Sequence, residues 1–344
     1  MRTIARLGAR VLVAGLAFAS ARANPSVTAD QVFDVLGFDA GQRARVRAGE
    51  IVTRGFEERS DKQLAVAMAM IAHTPMERLI ADLRSGGMLE HDRALLSYGE
   101  IHEPASAAQD LAGLHVPTEE IDAFFAAHAG SRFNLSIEEY GRLDALRRRF
   151  PGVACSKTPA CADAVTEAYR GFLAERCAAY REHGLDGIAP YAREGGKASD
   201  PAAELRVAAE GLRLMTEGTG RLLQAFIDYP QGDASAFEHQ YFWLEQSIQD
   251  RRTPILSHRL LHVEPGAAFL AERQFYVGHS YNALQVLAGL MPIEGSTLVF
   301  YLNRTSTDQV AGALSPLRHD AGRRLMAKEI RAHFEQLRGD PGAR

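Results

Sequence analysis

Hydrophobic and polar positions change their period along this chain, and the changes mark out its elements. Thr253 to Val263 and Phe269 to Gly278 are apolar runs rich in β-branched and aromatic residues, and Glu264, Pro265 and Gly266 separate them. They predict a hairpin. Ala283 to Leu290 and Thr297 to Asn303 predict two more strands, divided by Pro292 and Gly295. Beyond them the period lengthens to about 3.6. Leu317, Ala321, Leu325, Ile330, Phe334 and Leu337 then share one stripe, which predicts a long closing helix. An antiparallel sheet with that helix across its concave face would bury the stripe.

The first third has its own pattern. Thr28 to Phe38 predicts a short helix and Glu50 to Phe56 a strand. From Gln63 to Ile71 the bulky Leu64, Val66, Met68 and Met70 alternate with Ala65, Ala67 and Ala69. Alternation predicts a strand with one bulky and one flat face, although Ala, Leu and Met are also good helix formers. The flat face admits either a closely packed helix or a ligand. Thr74, Pro75 and Glu77 read as a capping box with proline at N1, opening a helix that stops at Gly86 and Gly87. With a strand from Ala94 to Ile101, the order is β–α–β.

Residues 103–235 then read as helix. The segments are Thr118 to Ala129, a Ser136/Glu139 capping box ahead of Tyr140 and Leu143, Asp163 to His183, and a long helix from Pro201 to near Pro230. Gly184 to Lys197 predicts a surface loop. The fold class expected is α+β, an antiparallel sheet gripping a long C-terminal helix with a large helical insertion. Its divisions are a signal peptide at 1–23, an N-terminal part of the α+β domain at 24–102, the insertion at 103–235, the C-terminal strands and closing helix at 236–338, and a tail at 339–344.

The leader rests on Arg2, Arg6 and Arg10, the apolar run Val11 to Ala19, and Ala21 and Ala23 as an A-x-A cleavage site. Cleavage after Ala23 predicts a soluble product in a periplasm or outside the cell. It leaves 35 basic against 43 acidic residues, a net −8 that disfavours nucleic acid as a partner. No later run reaches the ~18 apolar residues of a spanning helix, so the chain is not expected to span a membrane. The oligomeric state is left open. A composition of 46% hydrophobic and 24% charged residues excludes wholesale disorder. An oxidising compartment allows a disulfide between Cys155 and Cys161 across a short polar loop, with Cys177 left over. Two other pairings and a zinc site compete with that reading, and zinc lacks paired ligands at metal spacing.

Candidate chemistry is sparse. His258 and His262 share a strand face, and a turn about Pro265 and Gly266 would bring Glu272 and Gln274 across on that face. Such a set could act as acid and base or hold a metal, but a polar sheet face carries the same residues without chemistry. His279 and Ser280 are adjacent, and strand alternation would point them apart. Asn303, Arg304 and Asp308 lie where the last strand joins the final helices, with Ser306 and Gln309 as a capping box and Arg304 placed to pair with Asp308. Trp243, with Tyr241 and Phe242, suits a core or pocket wall. No phosphate-loop, dinucleotide or zinc-protease motif is present, so no cofactor or metal is expected.

Gln63 to Leu83 at the front and Thr253 to Arg338 at the back resemble the helix-grip fold of the START-like lipid-binding superfamily. Trp243, Pro254, His258, Tyr276, His279, Tyr301, Asn303, Arg304, Asp308 and Gly312 resemble a group of exported bacterial proteins of unassigned activity. The superfamily resemblance implies a hydrophobic small molecule or lipid bound between the sheet and the C-terminal helix. Trp243, Tyr276, His279, Tyr301, Asn303 and Arg304 are the ligand-binding residues expected. Two alternatives stand beside it: an exported enzyme using His258, His262 and Glu272, and a protein that binds a partner through its helical region.

Overall fold

The computed structural model describes residues 27–338, apart from 88, 90–91, 104–106, 115, 211–216, 233–235 and 313–314. The expected leader and tail lie outside the described residues.

Ten strands run through the described residues: β1 (Val52–Gly55), β2 (Gln63–Ala72), β3 (Leu95–Glu100), β4 (Tyr191–Ala192), β5 (Ala198–Ser199), β6 (Glu238–Ile248), β7 (Arg251–Glu264), β8 (Ala267–Val277), β9 (Ala283–Ile293) and β10 (Ser296–Ser306). Eight form one antiparallel sheet in the order β1-β2-β10-β9-β8-β7-β6-β3, and β4 pairs with β5. The hairpin at Pro265 and Gly266 forms as expected, because Gly266 takes a φ of 82° that a side chain would resist. β6 was not foreseen. The β–α–β reading also needs correction, since β3 leaves β2 to pair with β6 at the far edge.

The α-helical segments among the described residues are α1 (Ala29–Val35), α2 (Ala40–Arg47), α3 (Met76–Ser85), α4 (Ala107–Asp110), α5 (Thr118–Phe125), α6 (Ile137–Arg149), α7 (Pro159–His183), α8 (Pro201–Glu210), α9 (Glu217–Asp228) and α10 (Ser315–Leu337). The α+β class expected from the pattern is therefore observed. α3 begins a residue later than expected: Pro75 takes the cap position, Thr74 makes no side-chain cap, and its carbonyl instead accepts from Thr297 Oγ1 at 2.8 Å. Ser136 and Glu139 do form the capping box of α6. After β10 the cap is Thr307, whose hydroxyl accepts from the Gln309 N–H, and not Ser306.

Side-chain alternation gives the sheet two covered faces. Val66, Met68, Met70, Leu270, Leu290 and Val299 pack with Leu79 and Leu83 of α3 and Ile330, Phe334 and Leu337 of α10. The stripe on α10 is buried only in its second half. Leu317 and Leu325 are 68% and 57% exposed, and the helix lies at the sheet margin formed by the edge strand β1 and its neighbour β2. The opposite face takes Ala67 and Ala69 against α1, α2 and α9, so helices occupy the flat side of β2. On that same face α5, α6 and α7 bury Tyr241, Trp243, Leu256, Phe275 and Tyr276. A bulge opposite Leu256 and Ser257 turns both Phe275 and Tyr276 toward the helices. The region 103–235 thus supplies a layer of the core.

A polar cluster ties this layer to the strand ends. Asp308 meets Lys62 Nζ at 2.8 Å, Arg193 Nε at 3.0 Å and Ser199 Oγ at 2.5 Å. Arg304, expected to pair with Asp308, lies instead on the helix-covered face and donates to Gln63 Oε1 and the Glu57 carbonyl. Glu204 accepts from Asn282 Nδ2 at 3.1 Å, and its other carboxyl oxygen is buried without a partner. Burial pushes its carboxyl up to about 7 from 4.5. The folded state therefore holds more protons than the unfolded chain between those values, and Glu204 lowers stability as pH rises through that window. Glu204→Gln removes the effect. Its stability relative to wild type should increase by about 1–3 kcal/mol between pH 5 and pH 8, read as urea midpoints. Parallel pH curves would contradict this.

Candidate functional site

A hollow opens on the helix-covered face where β6, β7 and β8 end beneath α5 and α7. Val116, Pro117, Phe124, Phe133 and Pro254 give it apolar walls, and Glu120, Tyr169, Glu245, Arg252 and His279 contribute polar atoms. Its enclosed volume is about 20 Å3, and the rest is open mouth. An occupant would therefore be small or would project from the mouth.

Local sequence builds each wall. Thr118 starts α5 behind Pro117, and the helical period puts Ile121, Phe124 and Phe125 inward. Phe124 meets Phe133 and Tyr169 edge-on, with ring centroids 5.3 and 4.8 Å apart. Cys155 and Cys161 are joined by a disulfide at the start of α7, one of the pairings left open above, and Cys177 is buried outside it. The backbone N–H and hydroxyl of Ser156 in that turn both donate to Asp122 of α5, which ties the two walls together. Asn134 holds the floor: its Nδ2 donates to the carbonyls of Val277 and Tyr281.

His279 sits at the base. Its Nε2 lies 3.0 Å from Thr253 Oγ1 and 3.2 Å from the Arg252 carbonyl, and its Nδ1 lies 2.6 Å from Ser280 Oγ. A carbonyl can only accept, which assigns the ring proton to Nε2 and makes Nδ1 the acceptor for the Ser280 hydroxyl. Burial, helped by the Arg251 cation, pushes the imidazole down to about 4. It is neutral at pH 7. The contact corrects the expectation that adjacent residues point apart: Ser280 takes a φ of 74°, outside strand geometry, and turns its side chain back onto the ring. Among the described residues the imidazole's hydrogen-bond partners are the Thr253 and Ser280 hydroxyls and the Arg252 carbonyl, an arrangement that makes it a hydrogen-bonding station.

The remaining charges are paired. Arg251 grips Glu120 through Nε and Nη2 at 2.8 and 2.9 Å, and this bond holds the Glu120 carboxyl below its ordinary range. Arg252 lies 3.5 Å from Glu245, which also accepts from the Ser97 hydroxyl. Burial keeps the Tyr169 phenol protonated well above its usual value.

The expected site residues divide among several places. Trp243 lies in the core under the helices, over Gly99, and donates from Nε1 to the Asp110 carbonyl at 2.8 Å. Tyr276 lies in that same core with the Arg176 guanidinium 4.6 Å from its ring centre. Tyr301 and Asn303 are on the α10 face, 3.2 Å apart, and Arg304 is on the other. Of the six, His279 alone lines the hollow. His258, His262 and Glu272 do not converge either. The two-residue hairpin loop sets His258 opposite Arg273 and Arg259 opposite Glu272, so Glu272 faces away from both histidines. Glu272 is paired with Arg259 at 2.8 Å, and His262 with Glu264 at 3.5 Å. Among the described residues no three His, Cys, Asp or Glu side chains meet where a metal could be held. No described helix is long and apolar enough to cross a membrane.

The α10 contact with the sheet, where the helix-grip resemblance placed a ligand, is filled by Ile330, Phe334 and Leu337 against Met68, Met70 and Val299. Phe334 meets the Tyr301 ring edge-on, with centroids 5.1 Å apart. Sequence reasoning missed Glu120, Phe124, Phe133, Tyr169 and Glu245 as wall residues, and no local signal marks them. Compared with known proteins, the chain matches no family model, no curated protein and no solved structure.

Proposed function

We propose that the protein is exported and binds an uncharged, mainly apolar small molecule in the hollow under α5 and α7. The observation that carries the reading is the charge state of the walls. Glu120 and Glu245 each have an arginine, His279 is neutral and Tyr169 is protonated, so no net charge is offered to an ion. Apolar walls with a few convergent polar groups suit a ring or short chain carrying one hydroxyl or carbonyl. The basic leader and A-x-A site support export, and a closed disulfide suits an oxidising compartment.

The test uses p-cresol, an apolar ring with one hydroxyl. Trp243, the single tryptophan, belongs to the same core cluster as Phe124, Phe133 and Tyr169, and its emission is the readout. Wild type should bind saturably, toluene should bind more weakly, and Val116→Phe at the mouth should weaken p-cresol about tenfold or more, some 1.4 kcal/mol. Linear, unsaturable quenching, or equal affinity in Val116→Phe, would overturn the reading.

A further inference from the structure

Among the described residues, the buried Arg176 and Arg259 and the half-buried Arg251 each have a carboxylate. Arg176 holds Glu139, Arg251 holds Glu120 and Arg259 holds Glu272. Arg273, in the middle of β8 on the helix-covered face, is 0% exposed and has none among the described residues. Its Nε donates to Gln285 Oε1 at 3.3 Å and its Nη1 to the Tyr180 hydroxyl at 3.3 Å, and its guanidinium carbon lies 4.1 Å from the Phe226 ring centre. All three partners are neutral and both bonds are long. Its Nη2 is buried without any partner.

The geometry of the empty position is specific. The Nε and Nη2 N–H groups of a guanidinium share one edge, the edge that takes a carboxylate or phosphate through two parallel bonds. Arg176 uses that edge on Glu139, at 2.7 and 2.6 Å, and Arg251 uses it on Glu120. On Arg273 the same edge is half filled by one amide oxygen. Its surroundings add positive charge. Gln285 is the register partner of Arg273 on β9, and Arg304, also 0% exposed, is the register partner of Gln285 on β10. On the other side stands His258, which burial keeps neutral, fully buried against Tyr180 and His239 at 2.8 and 3.0 Å, so it supplies no counter-charge.

A buried cation without a counter-ion is costly, and an arginine kept only for packing could be replaced by an apolar residue of similar volume. We propose that the Nε/Nη2 edge of Arg273 is the receptor for an oxyanion, the carboxylate or phosphate group of a ligand held between the sheet and the helical layer. The site is separate from the hollow under α5. A second, apolar hollow on this face is lined by Val32, Val35, Thr219, Phe269 and Phe300. Phe269 and Phe300 stand four residues along their strands from Arg273 and Arg304, roughly 13 Å away. α9 reaches both places, with Thr219 at the hollow and Phe226 on the guanidinium. An acyl chain of about that length could connect the two.

Thermal unfolding of the purified full chain tests this at fixed ionic strength with three probes: inorganic phosphate, decanoate and uncharged decanol. Wild type should show a saturable rise in Tm with at least one anion and a smaller rise, or none, with decanol. A rise with phosphate identifies a free oxyanion, and a rise with decanoate alone identifies a chain-bearing acid. Arg273→Met should lose the response. Should that variant not fold, Gln285→Glu carries the test, because it places a carboxylate on the same edge: its Tm should be raised without ligand and should no longer respond. No saturable rise with either anion, equal rises with decanoate and decanol, or an undiminished response in Gln285→Glu would overturn the proposal.

Discussion

Glu139→Gln is expected to lower stability by about 3–5 kcal/mol, read from urea unfolding. Glu139 takes Arg176 through both oxygens at 2.7 and 2.6 Å, and both side chains are buried. Glu139 also accepts from the Ser136 N–H, so one carboxylate caps α6 and neutralises α7. The amide keeps the shape and most of the cap. What it removes is the counter-charge, which leaves the guanidinium between the rings of Tyr276 and Tyr191 and within 3.5 Å of the Ala189 carbonyl. Adding Arg176→Met should therefore recover a large part of the loss, since an apolar replacement of the whole pair removes the uncompensated charge. A loss under about 1 kcal/mol in the single variant would place the pair among ordinary surface bridges.

Gly184→Ala should destabilise by a similar amount, about 3–5 kcal/mol, from strain and overpacking together. Gly184 ends α7 with φ 60° and ψ −132°, a conformation that side chains rarely adopt. A Cβ there would lie 1.8 Å from the Tyr229 carbonyl oxygen, a backbone atom that cannot swing aside. The close approach brings the ends of α7 and α9 together, where the Tyr229 hydroxyl donates to the Arg181 carbonyl and accepts from Tyr241. Gly195→Ala is the control. Gly195 has a φ of 68° but open space around it, so its variant should lose only the conformational part, about 1 kcal/mol. Equal losses in the two variants would mean that the α7–α9 contact carries nothing.

Much of the fold was legible because local chemistry and tertiary demand agree. The alternation in β2 matches two faces with different coverings, and the glycine turn fixes the β7–β8 hairpin. β6 was hidden because Tyr241, Phe242, Trp243 and Leu244 are apolar in succession, as befits a strand covered on both sides, and such a run has no period. The long helix expected after Pro201 is helical at Pro201–Glu210 and Glu217–Asp228, and its middle lies outside the described residues. The loop from Gly184 to Lys197 proved partly internal, with Tyr191 fully buried.

The site was less legible, for a definite reason. Placing Glu272 opposite the histidines required the right register, and an error of one residue exchanges the faces of a strand. Pairing His279 with Ser280 required a positive φ on a serine, which alternation does not signal. The hollow itself draws on the segment before α5, α5, α7, β6, β7 and the turn after β8, so its residues are remote in sequence and share no motif.

The most direct measurement is native mass spectrometry of the purified protein under conditions gentle enough to keep small neutral compounds bound. Wild type should carry a discrete added mass that denaturation releases, and Val116→Phe should carry little or none. A wild-type protein with no added mass, or an adduct equally abundant in Val116→Phe, would contradict the account.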